Sequence, residues 1–246
     1  MDHLALIALV SLSYVATILA YRRVRLLFRR SQGLPPRLLR RLHVRAALAP
    51  LVAEAPELAE VAELLEVGRV AEARATWQLL AASLRADRRP WVESLLSLAE
   101  AERAPGLVRR YQAAARGRAL AAAARRGTTA AAPVYLQVVA SLGYLTDPLN
   151  LDLALWQSGR LLRRSLQAGP AEPLLHLAAA LRAAVAGETA EALQALARAL
   201  YHARTDAFLA SLVADLPRIE ELAPTLAAEA GRLLAQGASA GAAAGP

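Results

Sequence analysis

Past residue 50 the chain is cut by glycine and proline into short segments with apolar residues at steps of three and four, the spacing of one helix face. The pattern predicts helices over 56–67, 69–86, 90–103, 106–126, 133–145, 149–168, 171–186, 188–204, 205–216 and 217–236. Between them stand Gly68, Pro90, Pro105-Gly106, Gly127, Pro133, Pro148, Gly169-Pro170 and Gly187, the residues that end or redirect a helix. No segment sustains the alternation of a half-buried strand. Connections this short place consecutive helices antiparallel. The expected fold class is therefore all-α, with the body over 51–237 and a disordered tail over 238–246, where "ASAGAAAGP" has nothing to bury.

One segment shows what the helices are for. In "GETAEALQALARAL", residues 187–200, the positions Ala192, Leu193, Leu196, Ala199 and Leu200 share one face. Glu188 and Glu191 open the helix and Arg198, His202 and Arg204 close it, as the helix dipole favours. Small residues one turn either side of Leu196 let a neighbouring backbone approach, which is packing chemistry. Thirty-four residues earlier, Ser158, Leu162 and Ser165 repeat the small, large, small pattern, and Pro170 follows. A near-copy, "GRVAEARATWQLL", begins at Gly68 with Ala73 and Trp77 in the corresponding places. The stretch "PAEPLLHLAAALRAAVAGETAEALQALARALYHAR" resembles a tetratricopeptide (TPR) repeat, a helix pair of this length. The resemblance implies an α-solenoid of antiparallel helix pairs that serves as a protein-binding scaffold. Members of that family that grip a C-terminal carboxylate use asparagines and lysines. With one asparagine, Asn150, and no lysine, that clamp is excluded here. The inner face would carry Leu174, Leu177, Ala178, Leu181 and Val185, with Arg182 at its rim. It is expected either to take an amphipathic segment of a protein partner or to be covered by the C-terminal helices.

The N-terminus follows a different pattern. "LALIALVSLSYVATILAY", residues 4–21, holds no charge, and 18 residues of helix span about 27 Å, close to the hydrocarbon core of a bilayer. Arg22, Arg23, Arg25, Arg29 and Arg30 follow directly, with only Asp2 and His3, and no arginine or lysine, before it. That asymmetry predicts one transmembrane helix in a bacterial inner membrane, N-terminus outside and body in the cytoplasm. Residues 1–30 then form the span with its basic juxtamembrane end. Residues 31–50 form a basic amphipathic linker helix, in which Leu39, Leu42, Ala46 and Ala49 make one stripe and Arg37, Arg40, Arg41 and Arg45 lie largely off it. Such a helix either lies on anionic lipid or packs on its neighbour.

Locating the charge changes the picture. Basic residues are all arginine, and the net charge of +8 arises from nine arginines and no acid within 22–45, offset by Asp2. The remaining chain is balanced, which weakens a nucleic-acid reading, as does the scarcity of aromatics near the arginines. A second basic block, residues 103–126, carries seven arginines and no acid. It includes Arg109, Arg110 and Arg116, candidate contacts for an acidic partner or the membrane face unless they pair with the acidic helix Glu54–Glu66.

Catalytic patterns are missing from the sequence. There is no cysteine and no lysine, no phosphate loop and no nucleophile elbow. The four histidines, His3, His43, His176 and His202, lack the spacing of a helical metal pair, though His176 and His202 lie on successive helices and can meet. No enzyme, metal or cofactor is expected. The reading is an adaptor, with a binder of anionic lipid or nucleic acid through the arginine-rich segments as the alternative.

Overall fold

A computed structural model describes residues 11–18, 20, 43–145 and 150–202. Within the apolar N-terminal stretch, residues 11–18 are helical and the Thr17 hydroxyl donates to the Ser13 carbonyl at 2.8 Å. Residue 20 is helical too; the rest of the expected span lies outside the described residues, as do Arg22, Arg23, Arg25, Arg29, Arg30, Arg37, Arg40 and Arg41 and the helices expected over 205–236. Among the described residues, no helix is long and apolar enough to cross a membrane.

All regular elements described in the body are helical, in the order α1 (Val44–Glu54), α2 (Leu58–Glu66), α3 (Val70–Leu80), α4 (Arg89–Arg103), α5 (Leu107–Ala124), α6 (Ala131–Val139), α7 (Leu151–Ala168), α8 (Pro173–Ala186) and α9 (Thr189–His202). A short 3-10 turn, Arg125–Gly127, follows α5, and a π-helical turn, Ala140–Tyr144, follows α6. The two look-alike glycines do the same work. Gly68 and Gly187 have φ of 77° and 80°, and each helix before them closes with a six-to-one hydrogen bond: Arg69 N–H to Leu64 at 2.7 Å, Glu188 N–H to Ala183 at 2.8 Å. That is the left-handed glycine stop of a helix.

Two expectations shift. The helix expected over 69–86 ends at Leu80, where the Ser83 hydroxyl takes the Leu80 carbonyl at 2.7 Å and the chain turns to bury Leu84. The boundary expected at residue 50 falls inside α1, which belongs to the body. Val44, Ala47, Leu48 and Leu51 are its buried residues, so the packed stripe is offset from Ala46 and Ala49. The indole N–H of Trp91 donates to the Ala47 carbonyl at 3.0 Å and the His43 N–H to the Tyr135 hydroxyl at 3.2 Å, tying α1 to α4 and α6.

Helices α4 with α5 and α8 with α9 make the broadest contacts, as helical hairpins, while α6 also reaches α1 and α8 across the sequence. The α4–α5 hairpin is closed by a single missing side chain. A Cβ on Gly117 would stand 2.9 Å from Leu98 Cγ and 3.2 Å from the Ser94 carbonyl, and the Ser94 hydroxyl donates to the Gly117 carbonyl at 2.8 Å. The stripe of α5 that packs inward is Ala114, Gly117, Ala121 and Ala124. It is narrow and small, which leaves the arginines outside. Gly117→Val is expected to destabilise the fold by about 2 kcal/mol through overpacking, although valine is the better helix residue. Chemical denaturation of the two chains measures this difference.

Candidate functional site

The side chains that converge most clearly line a groove of about 820 Å³ between α5, α6 and α7. Its floor is Val134 and Val138 on α6 with Leu161 on α7. One lip is the face of α5 at Ala115, Arg118, Ala119 and Ala122, continued by Arg125. The other is the face of α7 at Trp156, Arg160, Arg164 and Ala168, four residues apart along one line. At 1.5 Å per residue these lips run about 15–18 Å, the length of some three helical turns. Alanines and the hydroxyls of Ser158 and Ser165 keep the walls low.

Electrostatically the groove is one-sided. Arg118, Arg125, Arg160 and Arg164 line it and no carboxylate does. Nor does any arginine of 103–126 form an ion pair among the described residues. The pairing with the acidic stretch Glu54–Glu66 does not form; of its five carboxylates Glu66 pairs with Arg45 at 2.6 Å and Glu54 with Arg88 at 3.6 Å. Arg45, a candidate membrane-surface residue by sequence, is exposed and pairs with Glu66. The Arg160 guanidinium lies 5.7 Å from the centre of the Trp156 ring, and Trp156 is 57% exposed. That ring holds a cation at the rim. Gln137 also lines the groove, and its Oε1 is buried without a hydrogen-bond partner.

The sequence-derived candidates divide. Leu174, Leu177 and Leu181 are buried, at 6%, 1% and 0% exposure. Their helix α8 packs against α6, α7 and α9, so the apolar strip is covered by the body itself. Arg182 pairs with Glu188 at 3.3 Å and crosses above Gly159 of α7, where a Cβ would meet its Nε at 3.0 Å. Arg109 and Arg116 are exposed and Arg110 partly so. Their helix, α5, makes no broad contact with α8, so the buried leucines and these exposed arginines do not form one surface. Arg160 and Arg164 were not singled out from sequence. The signal was present: residues 103–146 contain no acid at all, and 153–171 add three further arginines without one.

His176 and His202 do meet, stacked with ring centres 5.3 Å apart and planes at 15°. The Nε2–H of His176 donates to the Pro170 carbonyl at 2.8 Å. Burial lowers the His176 pKa below its usual 6.5; the carbonyl opposes this, and the charges of His202 and Arg198 reinforce it. No group of three potential metal ligands occurs among the described residues.

No family model matches the chain, no curated protein matches its sequence and no solved structure matches its fold.

Two outcomes follow from these placements. Leu181→Ala is expected to cost about 2–5 kcal/mol, and Leu181→Arg to abolish cooperative unfolding, both read by thermal melting. His176 is depressed in the folded state, so the unfolded chain takes up the proton first. Its contribution is therefore present above the usual histidine value of 6.5 and lost as pH falls below it. A pH series of melting temperatures is expected to slope downward toward acid, and His176→Gln, which keeps a donor for Pro170, to flatten that slope.

Proposed function

We propose that this chain is an adaptor tethered to the bacterial inner membrane by residues 4–21, with a cytoplasmic TPR-like body that receives an acidic amphipathic helix of a partner protein in the α5–α6–α7 groove. The observation that carries the reading is the groove's lining: arginines on both lips, a low apolar floor and no carboxylate. A helix about three turns long, apolar below and acidic along both flanks, complements it in length, shape and charge. The tether rests on the uncharged apolar stretch and the nine arginines that follow it. The TPR-like part rests on the small, large, small positions of the last helix pair. Ala192, Leu196 and Ala199 are each fully buried in the α8–α9 hairpin.

A photo-crosslinking residue in place of Gln157, on the groove wall, reports on the occupant directly. Crosslinking in native membranes is expected to capture one protein through an acidic helical segment. The Arg118→Glu, Arg160→Glu double variant is expected to lose that product while melting as the parent does. Crosslinks to a segment without carboxylates, or a product indifferent to charge reversal, would count against the groove.

A further inference from the structure

The turn joining α4 to α5 carries a second surface that the groove does not use. Residues 105–109 are all exposed, with Leu107 at 80% and Val108 at 69%, and Tyr111 follows at 53%. Gly106, at φ of 119°, has no atom within 4 Å of where a Cβ would stand, so the turn is open at that point. Arg109 and Arg110 sit among these apolar residues. The nearest carboxylates along the chain are Glu100, held by Arg74 at 2.5 Å, and Glu102 on the last turn of α4.

We infer that this tip docks on the anionic surface of the bilayer, Leu107 and Val108 entering the headgroup boundary while Arg109 and Arg110 engage lipid phosphates. Three features select lipid over a protein. The projecting patch is one turn and the start of one helix, whereas a standard protein interface needs about 20–30 residues a side. Aliphatic side chains beside arginines, with a tyrosine one turn on, is the composition that settles at the membrane interface. And the arginines bring net positive charge to a surface where anionic lipid concentrates it. The inference rests on the tether proposed above, which keeps the body beside a membrane. Docking would then fix one orientation of the groove.

The test uses the absence of cysteine. Leu107→Cys gives the full chain one thiol for an environment-sensitive fluorophore, and Leu79→Cys, at a position on α3 that is 83% exposed, gives the control. Each labelled chain is reconstituted into nanodiscs of phosphatidylcholine with or without phosphatidylglycerol. The expected result is a blue shift and brightening at position 107 in anionic discs, none at 79, and loss of the shift with Arg109→Glu, Arg110→Glu. Chain that enters the discs without a shift at 107, or with an equal one at 79, overturns the inference. If the chain does not enter discs, the tether fails, and anionic vesicles added to the same labelled chain read the tip alone: a shift at 107 sustains it and silence overturns it.

Discussion

The contact between α4 and α5 at Gly117 constrains most of what surrounds it. Helix backbones come this close only where one side chain is absent, and here Leu98 and the Ser94 carbonyl occupy the place of a Cβ. Dispersion attraction and one buried hydroxyl bond hold the hairpin. Because the inward stripe of α5 is only alanine and glycine, the helix buries little and leaves its arginines outside. The exposed charge of this helix is therefore a by-product of its packing: a thin seam on one side leaves a dense cationic surface on the other.

That surface splits by geometry. Toward the C-terminal end of α5 the arginines meet those of α7 across α6 and form the groove. Toward the N-terminal end they flank an apolar turn whose Leu107 and Val108 are exposed. Like charges gathered without counter-charge repel one another modestly in water, and a bound anion relieves that repulsion. In the groove an acidic helix can do so and gain apolar contact beneath; at the tip the planar array of lipid phosphates can.

How much of this was legible in the sequence depends on the range of the interaction. Helix positions were, because glycine and proline mark them locally: Gly68 and Gly187 end α2 and α8 through the same left-handed stop. The all-helical class followed from the same periodicity. The burial of Leu174, Leu177 and Leu181 was not assignable. Eleven of the fourteen residues of α8 are buried, so no single face of it can be named inner or outer from spacing. The break after Leu80 depended on Leu84 finding the core, a tertiary event. The groove was the least readable feature. It joins α5 to α7 across α6, and only its acid-free composition was visible along the chain.

The choice of arginine over every other base has a consequence for control. Neither lysine nor histidine lines the groove, and guanidinium stays protonated far above neutral pH. Its field is consequently a constant of the molecule, the same in an acid-stressed cell as in a resting one, and beyond the reach of lysine acetylation. On the adaptor reading proposed above, any timing of assembly is then written on the other side of the contact, in carboxylates that titrate, phosphates that are added or removed, or lipids whose proportion changes.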